Sequence, residues 1–246
     1  MRIGDIMGIY DKLNLGEYLS SCDYPGRGIV VGKSECGKYG VCAYFIMGRS
    51  ANSKNRVFVK LDSGDIEIRP FDESKVEDPS LIIYYPVRKT GNSLIVTNGD
   101  QTDTVYNFVK DGKTFEEALE TRCFEPDAPN FTPRISAIMN FVGGDFTYKM
   151  SILKSIDEVG SDCARFTYSY PSVKGLGHII HTYNHDGNPI PTFTGEPKRV
   201  NLSGDIDSLK DEIYENLSED KKISLYVRYT NLETGEYEER IINKNV

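Results

Sequence analysis

The sequence predicts one α+β domain over residues 1–246, an extensive sheet with helices packed outside it. Three observations predict it. Short apolar runs of strand composition recur along the chain, amphipathic helical patterns are few, and no internal repeat, low-complexity stretch or Pro/Ser-rich linker divides it. A chain of 246 residues buries roughly three quarters of its unfolded surface, so a core needs no disulfide or metal.

Gly28 to Lys33 (GIVVGK) and Val41 to Met47 (VCAYFIM) read as strands joined by ECGKYG, a stretch of turn composition. Val57 to Leu61, Leu81 to Val87 and Leu94 to Thr97 continue the pattern; Pro86 cannot donate to a ladder and must lie at an edge, bulge or strand end. Asp62 to Ser80 is the most polar stretch and reads as an excursion. Thr114 to Arg122 is expected to be helical, with Thr114 as cap and Glu117 three residues on. Arg134 to Val142 is also expected to be a helix, because Ile135, Ile138, Met139 and Val142 share a helical face. In that reading Thr132 caps it and Pro133 takes its first turn. Ser208 to Leu217 aligns Leu209, Ile213 and Leu217 on one face, and Ser224–Tyr229 with Tyr237–Ile242 flank NLETGE as a hairpin.

Charge and cysteine usage exclude several classes of function. A formal net charge of −8 argues against non-specific nucleic-acid binding, although one local arginine cluster suffices for a small anion. No apolar run approaches the ~20 residues that span a bilayer. The N-terminus carries acids and lacks a basic start, so a cytoplasmic protein without membrane partner is expected. The five cysteines form no C-x-x-C pair and are expected to be reduced, buried small hydrophobes.

Three segments carry chemistry. GRSANSKNR contributes Arg49, Ser50, Asn55 and Arg56 between two apolar strands, and guanidinium groups suit a phosphate or carboxylate; a solvated hairpin loop has the same composition. VTNGDQTD holds Asn98 and Asp103; its Asn-Gly reads as a hairpin turn, while the polar residues beyond could orient a ligand. EPDAPNFTPR has three prolines stiffening a loop that carries Glu125, Asp127, Thr132 and Arg134, as a preorganised site requires. GKSECGK lacks phosphate-loop spacing. His178, His181 and His185 invite a metal reading, but GLGHIIHTY reads as a strand in which positions 178 and 181 point to opposite faces.

In this order, PGRGIVVG, AYFIMGRSANSKNRVF, VTNGDQTD and EPDAPNFTPRI resemble the archaeal-type inosine monophosphate (IMP) cyclohydrolase family over most of residues 24 to 185. The part after about residue 195 resembles longer bacterial members. The resemblance implies a four-layer αββα sandwich like that of Ntn hydrolases, without the N-terminal nucleophile; Ile3 and Gly4 lie near the start and no Ser, Thr or Cys is poised there. It implies dehydrative closure of 5-formamidoimidazole-4-carboxamide ribonucleotide (FAICAR) to IMP, with no metal or cofactor, by a homo-oligomer. Carried over, Glu125, Asp127 and Tyr44 are the catalytic candidates. Arg49, Ser50, Asn55 and Arg56 would bind phosphate or base, Asn98 and Asp103 would orient ribose or carboxamide, and Thr132 and Arg134 would anchor the substrate. The family pattern places an arginine after the strand tyrosine, whereas Phe45 follows Tyr44 here; Arg27 or Arg88 would then supply the cation, or the substrate has changed. Two other readings are a nucleotide-binding protein with the same pocket but no turnover, and an amide hydrolase on the same scaffold.

Overall fold

The computed structural model describes residues 8–76 and 83–245. Ile3, Gly4 and the first two residues of the expected Leu81–Val87 strand lie outside them. The chain is mixed α+β, with two mostly antiparallel sheets and few helices. The six-stranded sheet contains β1 (Arg27–Lys33), β2 (Tyr39–Met47), β10 (Leu176–His181), β11 (Lys198–Asn201), β12 (Lys222–Asn231) and β13 (Tyr237–Asn243) in the order β11-β10-β1-β2-β12-β13. The seven-stranded sheet runs in chain order through β3 (Arg56–Lys60), β4 (Ile66–Pro70), β5 (Val87–Thr90), β6 (Ser93–Thr97), β7 (Arg134–Val142), β8 (Asp145–Ser155) and β9 (Cys163–Pro171).

Three apolar clusters explain why the strands are apolar on both faces. Ile29, Val31, Tyr44 and Ile46 from one sheet meet Phe58, Val96, Ile135 and Met150 from the other in a core between the sheets. The alternate residues Val30, Ala43, Phe45 and Val227 pack beneath α1 (Leu15–Ser20) and α5 (Ile206–Asn216). On the outer side of the other sheet, Ile95, Ile138 and Leu153 are covered by Val105 of α3 (Gln101–Lys110) and Phe115 and Leu119 of α4 (Phe115–Glu120). Double burial turns the usual period-two pattern into continuous apolar runs such as GIVVG.

The structure corrects several sequence expectations. Arg134–Val142 is not a helix but β7, paired with both β6 and β8. Its apolar residues are spaced as on a helix only because both faces of a central strand are buried. Thr132 therefore caps no helix. Residues 83–86 form no strand; β5 starts at Val87, directly after Pro86, so the proline does sit at a strand end. The polar excursion holds β4 and a short 3-10 turn at Glu73–Lys75. Asn98-Gly99 joins a strand to α3 and not to another strand, and GRSANSKNR forms the short helix α2 (Ala51–Lys54), capped by Ser50, at the crossing from one sheet to the other. Of the cysteines, Cys22 and Cys42 are buried, whereas Cys36 and Cys123 are exposed. The Thr114/Glu117 capping box, α5 and the C-terminal hairpin form as expected. Among the described residues no helix is long and apolar enough to cross a membrane.

His178 and His181 do face opposite sides of β10. His178 Nδ1 shares a 2.6 Å hydrogen bond with Tyr148 of the facing sheet, and His181 Nε2 shares one of 2.6 Å with Tyr18 of α1. Burial lowers both from 6.5 to about 4, with a smaller contribution from Arg199 at His178. Folding therefore favours the neutral rings, and the unfolded chain takes up more protons between these values. Stability should be fully expressed above pH ~6.5 and fall as the pH drops toward 4, by up to roughly 3 kcal/mol for fully buried His181. Urea midpoints measured across this window should show the slope, and His181→Gln should flatten it. An unchanged slope in that variant would remove His181 as its source.

Candidate active site

The sheet ends around the β2–β3 crossing enclose a cavity of ≈ 290 Å³ lined by both strands and loops. Arg27 enters from the start of β1, Arg49, Ser50 and Ser53 from the crossing and α2, and Arg56 from the start of β3. The loop before β7 supplies Glu125, Asp127, Asn130 and Thr132, and Tyr24, Tyr183 and Ile190 complete the wall. Three of the four motif segments thus converge here, while the fourth lies behind them.

Two guanidinium groups dominate the electrostatics. Arg56 is only 2% exposed, donates to the carbonyls of Ser53 (2.7 Å) and Met47 (3.4 Å), and has no carboxylate within 4 Å among the described residues. Burial lowers its proton affinity, and the neighbouring Arg27 lowers it further. Arg27 also lacks an ion-pair partner among the described residues, and its Nε is buried without an acceptor. Burial disfavours the Arg27 charge, but Glu125 with Tyr183, Tyr84 and Tyr24 outweighs this and holds it above the ordinary value. A buried cation beside a like charge, as Arg56 is beside Arg27, is unfavourable unless an anion joins it. Tyr44 stands behind the cavity, fully buried and bonded to Tyr84 (2.9 Å); burial, then Tyr84, pushes its hydroxyl well above the usual range.

The acidic side is held tightly. Glu125, 5% exposed, receives Arg134 Nη1 at 3.2 Å, while Arg134 Nη2 reaches Asp100 (3.0 Å), itself bonded to Arg122. Asp127 accepts from the Thr132 amide (2.6 Å) and hydroxyl (2.5 Å), and that hydroxyl also meets Tyr183 (2.5 Å). Burial, opposed by Arg27 and Thr132, pushes Tyr183 up to about 12. Phe131 adopts a left-handed φ of 43°, which costs ~1–3 kcal/mol and is held by packing on Phe124 and Gly160.

The remaining predicted site residues do not line this cavity. Asn98 lies below the loop, donating to the Pro133 carbonyl and accepting from the Ile135 amide (both 2.9 Å). Gly99 is required beside it, since a Cβ there would sit 1.5 Å from Arg134 Nη1. Asn98→Ala should lower stability by roughly 2–4 kcal/mol, because several buried groups lose partners. Its urea midpoint checks this, and an unchanged midpoint would mean that the network relaxes freely. Asn55 pins Asp72 through two 2.8 Å bonds. Arg88 is clasped by Asp65 (3.3 Å) and Asp103 (2.8 Å) and stacks on Tyr106, so it cannot serve as the substitute cation without breaking that clasp. Phe45 points away from the cavity into the helix-side core. Arg49 sits at the mouth, held by Asp186 (2.7 Å) and the Gly187 carbonyl (2.8 Å). Sequence reasoning missed Tyr24, Tyr183 and Ile190; among 16 tyrosines nothing in the sequence marks these two.

Residues 24–235 match the family model described as IMP cyclohydrolase-like protein. The IMP cyclohydrolase of Methanococcus maripaludis (strain C6) is 32% identical over 120 residues, 47% of this chain and 58% of that relative. The IMP cyclohydrolase of Methanocaldococcus jannaschii is 30% identical over 118 residues, 48% of this chain and 57% of its own length, and that of Methanopyrus kandleri is 32% identical over 123 residues, 47% and 58%. The aligned part thus spans less than two thirds of these archaeal relatives. The family model covers most of this chain, cavity residues included: the chain belongs to the IMP cyclohydrolase-like protein family.

Proposed function

We propose that the protein is an IMP cyclohydrolase closing FAICAR to IMP. The observation that carries this reading is the pair of buried Arg56 and half-buried Arg27, neither with a carboxylate within 4 Å among the described residues, facing acids in one cavity. A phosphorylated substrate supplies the missing anion. The two sheets with helices on both outer sides agree with the four-layer αββα, Ntn-hydrolase-like arrangement of a single domain over 1–246. The same reading makes the protein a cytoplasmic homo-oligomer acting in purine biosynthesis on a free nucleotide, without nucleic acid, metal or cofactor.

In the reaction the carboxamide nitrogen attacks the formyl carbon of the same molecule. The formyl oxygen leaves as water, taking one hydrogen from each of the two nitrogens. Holding the groups together supplies much of the acceleration. Arg56, with Arg49, Ser50 and Ser53, holds the phosphate. Arg27, which senses both Arg56 and Glu125, meets the formyl oxygen as negative charge grows on it. Glu125 moves the proton of the attacking nitrogen, while Asp127 and Thr132 keep the loop and Tyr183 in place. Asn98, Asp103, Asn55, Arg88 and Arg134 act from behind the cavity wall.

Incubating the purified protein with FAICAR and following IMP by absorbance tests the proposal. Turnover that depends on Glu125 is expected. Tight IMP binding without turnover at high enzyme concentration would overturn it in favour of a nucleotide-binding protein.

A further inference from the structure

The core between the sheets has a second opening at its other end. The candidate active site sits where β1 and β7 begin; a cavity of ≈ 280 Å³ lies where β7 turns into β8 and β12 ends. Its walls are half apolar, with Leu94, Phe141 and Leu232, and half polar, with Lys89, Asn231 and Arg228. Asp145 also borders it, but its carboxylate is already engaged by Lys33 and Ser172.

Arg228 gives this cavity its chemistry. It is 3% exposed, its Nε donates to Thr230 at 3.2 Å, and its guanidinium carbon lies 3.5 Å from the centre of the Tyr237 ring. The acid directly across the ladder, Glu239, does not neutralise it: Glu239 is drawn to Tyr226 (3.1 Å) and to Lys60. Among the described residues no carboxylate lies within 4 Å of Arg228, and besides Thr230 its polar neighbour is the Tyr226 hydroxyl on the same strand. Stacking occupies the face of the guanidinium, and of its five in-plane donors Thr230 and Tyr226 engage only part, which leaves the others for a partner. A planar carboxylate matches that fork, and the aliphatic and aromatic wall suits a carbon body rather than a free inorganic anion.

We propose that this cavity binds a small organic carboxylate, its carboxyl group on Arg228 and its apolar body against Leu94, Phe141 and Leu232. The inference is independent of the reaction assigned to the other end. Benzoate, with inorganic phosphate as comparator, is titrated into the ¹⁵N-labelled full chain and followed by amide shifts. Saturable shifts are expected at Gly143, Gly144 and Leu232, and they should persist in Arg27→Met, which disables the candidate active site. Arg228→Met should weaken benzoate about tenfold or more, the loss of a charge-assisted pair. Should that variant not fold, Arg228→Lys, which keeps the charge but loses the fork, and Lys89→Gln at the rim serve instead, and both should weaken binding. Unsaturable shifts, wild-type affinity in these variants, or equal binding of phosphate and benzoate would overturn the assignment.

Discussion

Arg56→Met and Arg27→Met should both cripple the proposed ring closure, but in different kinetic parameters. On the proposed roles, Arg56→Met removes a phosphate contact made equally in ground and transition states, so KM should rise about 10–100-fold with kcat largely kept. Arg27→Met removes a donor whose partner charge develops during ring closure, so kcat should fall about 10²–10³-fold with KM nearly unchanged. Arg56→Met should not lose stability, whereas Arg27→Met gives up the attraction of Glu125 and should lower the midpoint. Arg56 is 2% exposed, carries a proton affinity lowered by burial and by Arg27, and has no carboxylate partner among the described residues, so its charge costs the empty protein free energy. Methionine fills a similar volume without that cost, and the thermal midpoint of the free protein should stay level or rise. Steady-state kinetics and thermal unfolding check both halves. An unaltered KM together with a lowered midpoint would make Arg56 a structural residue and remove the main cation from the proposed phosphate site.

These two arginines also mark how far the sequence could be read. Arg56 and Arg49 stood out because a cation-rich segment between two apolar strands has no packing explanation. Arg88 was named as a substitute for the arginine that the family pattern places where Phe45 stands, yet it is satisfied by Asp65 and Asp103, partners contributed by other turns of the chain. A free arginine and a clasped one look alike until the long-range pairing is known. Asn98 illustrates the same limit: it reads as a hairpin turn residue, and it acts as the bolt between α3 and the start of β7. Elements with local causes were legible, among them the Thr114/Glu117 capping box, the amphipathic α5 and the strand–turn–strand of β12 and β13. β7 was not, because a strand buried on both faces has no period-two pattern, and Ile135, Ile138 and Met139 fall on a helical spacing by chance. The second sheet was therefore the larger surprise: five of its six neighbour pairings come from segments between residues 56 and 155 whose apolar residues serve two cores at once.

Glu125→Gln should lower kcat by about 10²–10⁴-fold while KM and the thermal midpoint change little. The amide keeps the size of the carboxyl group, and its oxygen can still accept from Arg134 Nη1, which lies 3.2 Å from Glu125. Only the ability to take and return a proton is lost. Asp127 makes the informative comparison, since both its oxygens are already committed to Thr132, at 2.6 and 2.5 Å. Asp127→Asn should therefore act through loop position, with a smaller fall in kcat, a rise in KM and a lower midpoint. Sequence alone placed the two acids on equal footing; both line the cavity, but Asp127 has both oxygens on Thr132 while Glu125 is held through one oxygen by Arg134. Kinetics of the two variants at saturating FAICAR decide between them. If Asp127→Asn abolished turnover with an unchanged midpoint while Glu125→Gln kept it, the proton-transfer role would pass to Asp127, and Thr132 with Tyr183 would become its relay.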